Sequence, residues 1–375
     1  MRLFRRTVRV TVYKLPPDPD PTSGKVVAAV AVGALVDLQA QQFGAIVLSK
    51  DLLIKAAQSV VARGGSNKPY KPGNATSTAI TDLRIQFKIE KSLTKTPNSC
   101  DITITNLAKG TRTDFNAKPL AVAIEGGYDD VYRQVFVGDV LFSMSEIKKS
   151  NWETLLQVGE GSRAYNSARV SRSYNKGTKI IDIVRDCANQ MGFGLAKGIE
   201  SDPNLQKALA IGDLAVGPVR DELDRRLAPY GYHWSLQGDR LQILSDTSSS
   251  TSRALVISES TGMIGTPEFG APPRSGKPPH VKVKCLLYPE VTPGGLVKVI
   301  SKALIGGQGL YRVEKVTHIG DTHSSSDSSW VTEIEIKPYT PIADQKVVDV
   351  ITPAQIGSLK EVWARRAQEI VTTRR

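Results

Sequence analysis

The clearest hydrophobic pattern in the chain lies in TDLRIQFKIEKSLTKTPNSCDITITNLAKGTR, residues 81–112. Leu83, Ile85, Phe87 and Ile89 fall on one face of an extended segment, with Arg84, Gln86, Lys88 and Glu90 on the other. Ile102 and Ile104 repeat the alternation against Thr103 and Thr105. A period of two predicts half-buried strands. Pro97 and Asn98 between the runs supply turn chemistry, so the two runs are expected to pair as an antiparallel hairpin. RRTVRVTVYK at 5–14 gives a strand ahead of them, and 121–125, 132–140, 141–147 and 153–158 give four more behind. Short strands at this spacing, broken by GG, GD and SN, point to a small barrel or sandwich that ends near Gly161.

The period then lengthens. Ile180, Ile181, Val184, Ala188 and Met191 recur at helical spacing, with Thr178 placed to cap the start and Gly192 the end. A second helix is expected from Pro218, with Val219, Leu223 and Leu227 on one face, and the hairpin YHWSLQGDRLQIL follows it. After the Ser/Thr-rich TSSSTSR the period returns to two at 254–258, 281–287, 296–299, 310–319 and 330–337. The reading is mainly β (α+β), divided into a first β-barrel domain at 1–162 with an insertion at about 15–79, an α+β module at 163–250, a second β-barrel domain at 251–340 and a tail at 341–375. In the tail, Pro353 stands at a first helical position, and Ile356, Leu359, Trp363 and Ile370 share one face of an amphipathic helix. That stripe is read as a docking or trimer-forming interface.

Composition narrows the classes. At 375 residues and 40% hydrophobic, the chain can bury two or three cores. A net charge of +12 invites an anionic partner, but the cations are dispersed except at the two ends, and aromatic residues make up only 6%. A basic nucleic-acid-binding module is therefore a secondary reading. Cys100, Cys187 and Cys285 lie far apart without metal-ligand spacing and read as buried thiols of a reducing compartment. VVAAVAVGALV at 26–36 is too short to span a bilayer and lacks the context of a signal peptide, so no membrane segment is expected.

Catalytic motifs are absent: the sequence has no GxGxxG, GxxxxGK[ST], HExxH or GxSxG. GEGSRAY at 159–165 reads as a loop. Asp221, Glu222 and Asp224 read as the solvated face of a helix beside Arg220, Arg225 and Arg226. The richest cluster of metal-binding residue types is HIGDTHSSSDSS, with His318, Asp321, His323 and Asp327. It supports an alternative as a metal-dependent hydrolase using the His318/His323 loop, although its Gly, Asp and Ser content is also what a polar hairpin loop requires.

Six stretches occur in order along 81–338: LRIQFKIEKSLTKTPNSCDITITNL, VFVGDVLFSMSEIKKSNWETLLQVGEGSRAY, GTKIIDIVRDCANQMG, ISESTGMIGTPEF, VKCLLYPEVTPGGLVKV and YRVEKVTHIGDTHSSSDSSWVTEIEIKP. As a series they resemble the baseplate hub proteins of contractile bacteriophage tails, which are related to the spike protein of type VI secretion. The resemblance implies two similar tube-like β-barrels, and a homotrimeric ring that joins a sixfold tail tube to a threefold central spike. It implies a structural protein with no enzymatic activity and no cofactor. The implied partners are further copies of the chain, the tail tube or distal tail protein, the central spike protein, the tape measure protein and baseplate wedge proteins, with DNA only in transit. The implied location is the virion baseplate, after assembly in the host cytoplasm. The segment 26–63 and the helix from Thr352 fall outside the resemblance, and no lysozyme-like segment accompanies it.

Overall fold

Alternation becomes architecture in the computed structural model, which describes residues 6–14, 77–117, 120–128, 131–196, 198–238, 240–270, 280–304, 308–324, 329–341, 346–351 and 355. The first β region supplies β1 (Arg6–Lys14), β2 (Ser77–Ile80), β3 (Ile85–Ser92), β4 (Ser99–Thr105), β5 (Leu120–Tyr128), β6 (Val131–Lys148) and β7 (Asn151–Gly159), with α1 (Lys109–Ala117) after β4. As the pattern requires, Ile85, Phe87 and Ile89 are buried on the inner face of β3 while Lys88 is exposed. The predicted hairpin forms in register, Ile85 opposite Ile104 and Ile89 opposite Cys100. The segments expected as two strands at 132–140 and 141–147 are one strand: no turn residue separates Val140 from Leu141, and a register shift there absorbs the bend.

The module carries α2 (Ser162–Ser167), β8 (Arg169–Tyr174), α3 (Ile180–Met191), β9 (Gly194–Leu195), β10 (Asp213–Pro218), α4 (Val219–Leu227), β11 (Tyr232–Gln237) and β12 (Arg240–Ser245). Both expected helices and the expected hairpin are present. Gly192 closes α3 in the left-handed conformation (φ 78), whereas Lys179, not Thr178, stands at the N-cap, with no side-chain cap. The GEGSRAY stretch is partly helical, and Gly161 (φ 64) is fixed by space as well, since a Cβ there would sit 2.6 Å from the Phe193 ring. The apolar faces of α3 and α4 meet Val170, Ala215, Trp234 and Leu241 in a core of their own.

The second β region supplies β13 (Arg253–Ser258), β14 (Met263–Phe269), β15 (Val281–Leu286), β16 (Leu296–Ile300), β17 (Gln308–Asp321), β18 (Trp330–Pro338) and β19 (Val348–Val350). The fold is mainly β, as expected, but closure into separate barrels is not seen. The strands of both regions run as one 14-stranded sheet, in the order β14-β15-β18-β17-β3-β4-β7-β6-β5-β1-β2, with β16 also on β17 and β13 joining β16 and β19. Among the described residues no pairing joins its ends. The physical reason is the length of β17. Its first residues, Gln308–Arg312, pair with β16, and after a register shift between Val313 and Lys315 the remainder pairs with β3. One core therefore serves both regions. Phe87, Tyr128 and Trp330 form its aromatic centre, with ring centroids 5.9 and 6.5 Å from Trp330 in edge-to-face arrangement, and Leu287 N donates to Tyr128 Oη at 3.0 Å.

The module is bound to this sheet by a buried polar network. Asn98 Nδ2 donates to Glu160 Oε2 (2.6 Å) and Leu236 O (3.0 Å), Gly238 N donates to Glu160 Oε1 (2.7 Å), and Gln237 Nε2 donates to Ser92 O (2.7 Å). Lys95 adds an ion pair to Asp224 at 2.5 Å. All three cysteines are buried free thiols, as expected, and burial pushes that of Cys187 up to about 12. No helix among the described residues is long and apolar enough to cross a membrane.

Candidate functional site

With the interior filled, chemistry is left to surfaces, and the longest hairpin supplies the most distinctive one. β6 serves different neighbours with its two halves: Val131 to Asp139 pairs with β5, and Asp139 to Lys148 pairs with β7. Beyond Asp139 the edge that faced β5 has no strand beside it among the described residues. α1 lies near, with Ser143 Oγ donating to Phe115 O at 3.1 Å. The arm so formed is apolar on both sides. Leu141 (57% exposed), Phe142, Met144, Ile147 (61%) and Trp152 are all open to solvent. Ile147 stands opposite Trp152 on one face, and Phe142 and Met144 lie on the other beside Gln157 and Leu155. Arg112 stacks on Trp152 at 3.7 Å, and Asn106, in the left-handed region (φ 58), donates its N–H to Trp152 O and accepts from Trp152 N through Oδ1. The tip of the arm is therefore held through Trp152 while its flanks stay open. Apolar strand edges of this kind mark interaction surfaces in proteins that persist in solution.

The other free edges are less inviting. β14 carries Pro267 and a register shift between Ile264 and Glu268, two devices that blunt an edge. β10 shows Leu214 and Val216 outward, but Arg225 Nη2 donates to Leu214 O at 3.3 Å on that strand.

The alternative reading of the His318/His323 loop as a metal site finds no assembled ligand set among the described residues. His318 lies on the inner face of β17, fully buried, its Nδ1 2.9 Å from Thr332 Oγ1. Burial, reinforced by the charge of Lys91, pushes its pKa from 6.5 down to about 3, so the ring is a neutral core group. His323 lies in the following turn, bonded to Thr322 Oγ1 at 2.8 Å. Asp321 is a strut: it accepts from Arg84 (2.7 and 3.2 Å), Gln86 Nε2 (3.0 Å) and His323 N (2.9 Å). Burial pulls its carboxyl upward, but the Arg84 guanidinium and the His323 N–H hold it below the usual carboxylate range. Asp327 lies outside the described residues. Among those described, no three His, Cys, Asp or Glu side chains are placed to hold a metal ion.

Glu222, expected on a solvated face, is buried against Arg226, Oε1 to Nε 2.6 Å, and Asp224 accepts from Trp234 Nε1 at 2.8 Å. Ile356, Leu359, Trp363 and Ile370, predicted as an interface, lie outside the described residues, as does the insertion up to residue 76. The arm was missed as a site because its two strands read only as wall. The signal was present in VLFSMSEI, where apolar residues fall on both faces of one strand.

Comparison with known proteins places this architecture. A 43 kDa tail protein of prophage MuSo2 from Shewanella oneidensis shares the fold, with a TM-score of 0.50 at 11% identity over 73% of this chain and 97% of that one. A tail protein from Neisseria meningitidis MC58 aligns with a TM-score of 0.48 at 12% identity, over 73% of this chain and 97% of that one. A component of the Escherichia coli type VI secretion system aligns with a TM-score of 0.46 at 11% identity, over 69% of this chain and 74% of that one. No curated protein matches the sequence. The family model described as baseplate hub gp41 matches residues 70–318, which take in β2 to β16 and most of β17. The chain belongs to the baseplate hub gp41 family, a structural component of the phage tail.

Proposed function

We propose that the chain is the hub of a phage tail baseplate, forming a homotrimeric ring that joins the sixfold tail tube to the threefold central spike. Tape measure protein and then DNA pass through it. Its neighbours in the virion are the tail tube or distal tail protein, the central spike protein and the baseplate wedge proteins, and the ring is assembled in the host cytoplasm. The observation that carries this reading is the β6–β7 arm. A ring closes through heterologous contacts, in which one surface of a copy meets a different surface of the next. A strand with a free edge and both faces apolar is suited to such a contact. Covering what remains open of Leu141, Phe142, Met144 and Ile147, each about half exposed, would contribute on the order of 1 kcal/mol for each. In this reading the division into a first β domain, a module, a second β domain and a tail separates wall from attachments. Ile356, Leu359, Trp363 and Ile370 serve as a second element of trimer contact.

The test is mass measurement of the purified protein, alone and with tail partners, followed by imaging of particles. A trimer is expected, and Phe142→Asp with Ile147→Asp prevents it while leaving the protomer folded at a cost of about 1–3 kcal/mol, since both side chains are about half exposed. A chain that remains monomeric in every assembly refutes the reading.

A further inference from the structure

The outer face of β15, β18, β17 and β3 carries its charges in rows. Lys282 stands opposite Glu335 and Lys284 opposite Glu333, with ion pairs of 3.6 and 3.1 Å. Lys315, opposite Glu335 on the other side, reaches Glu90 at 3.0 Å, and Lys88 meets the same carboxylate at 2.7 Å. Bonds from Lys88 and Lys315 hold the Glu90 carboxyl below its usual range, so it stays charged. Asp101 stands opposite Lys88 on β4, and Glu268 opposite Lys282 on β14. Lys337 stands two residues from Glu335 on the same face, opposite Arg312, and both cations pair with Glu314 at 3.2 and 2.7 Å. Five lysines and one arginine thus meet six carboxylates (Glu90, Asp101, Glu268, Glu314, Glu333 and Glu335), a neutral balance on one face of a chain whose net charge is +12. Ordinary cross-strand pairing explains why opposite charges are adjacent. It does not explain why the cationic excess of the chain avoids this face. The pairs are exposed and contribute little stability, so the fold does not require them.

A row of unpartnered lysines holds DNA, because each phosphate it neutralises releases a condensed counterion. Here every ammonium already has a carboxylate partner, and a phosphate would have to displace it with no local excess of positive charge to draw it in. We infer that this face lines the passage of the ring and is built to be non-adhesive to duplex DNA. The inference rests on the hub reading above and assigns it a lumenal surface.

The decisive variant is Glu90→Gln/Glu333→Gln/Glu335→Gln in the full chain, which removes the ion-paired carboxylates of Lys88, Lys282, Lys284 and Lys315 and leaves Asp101 and Glu268 as the cross-strand neighbours of Lys88 and Lys282. Binding of plain duplex DNA, titrated against salt, is expected to tighten at least about tenfold, with a salt dependence steeper by about 3 to 4 in log–log slope. Unchanged affinity and slope overturn the inference. Acetylation by a small water-soluble reagent supplies the second readout. In the assembled ring the four wall lysines react as they do in the protomer, while Lys148 and Lys149 on the arm become protected. Protection of the wall lysines shows a protein contact there and overturns the lumenal assignment with the ring intact, whereas failure of the ring itself is reported separately by the mass measurement.

Discussion

His318 shows how far one residue's role depends on the side of a strand it faces. In sequence it belongs to a polar cluster with His323 and Asp321, and in the fold it is a core residue between Ile89 and Thr332. Its titration carries a stability cost with a definite sign. The unfolded histidine protonates near 6.5 and the buried one near 3, so between these values the unfolded chain binds the extra proton. Stability is fully present above about 6.5 and falls as the pH drops toward 3. At about 1.4 kcal/mol per pH unit the total is roughly 5 kcal/mol. Urea denaturation of wild type and His318→Leu across this range is expected to show a shallower acid slope in the variant. Gly138 is constrained by space alone: a Cβ there would stand 2.6 Å from Gly159 O, a backbone atom that no rotamer change can move. Gly138→Ala is expected to destabilise by about 1–3 kcal/mol in the same assay.

Elements were legible where one period ran uninterrupted. β3, β4, α3, α4 and the β11–β12 hairpin all follow from their spacing. α1 was missed because KGTRTDFNA carries no apolar repeat, Phe115 being the one buried anchor among its described side chains. β14 shows no period of two because Gly265 and Pro267 interrupt it, and those residues are what an exposed edge tolerates. Within the arm, Lys149 occupies the left-handed region (φ 58) at the turn, where glycine is at ease. Lys149→Gly is expected to stabilise the protomer by about 0.5–1 kcal/mol, measured as a shift in the denaturation midpoint.

At the scale of the whole molecule, the family and the mainly β class could be read from the sequence, and the connection between the two β regions could not. β17 is long enough to pair with β16 through 308–312 and with β3 through 315–321, and hydrophobic periodicity does not mark where one partner gives way to the other. The junction with the module was equally hidden, since Asn98 looks like an ordinary turn residue until Glu160 and Leu236 are brought to it. Asn98→Ala leaves the buried Glu160 carboxylate short of a donor and is expected to cost about 1–3 kcal/mol, with faster amide exchange at 232–245. The β3–β17 pairing also bears on synthesis. The inner edge of β3 has to wait for residues 315–321, more than two hundred positions later, before its hydrogen bonds are met. Such distant pairing makes for slow folding, completed only after most of the chain has left the ribosome. A chain terminated early, before β17, would keep an open edge along Ile85–Ser92, and chain-terminating alleles should therefore yield insoluble fragments in place of partial hubs.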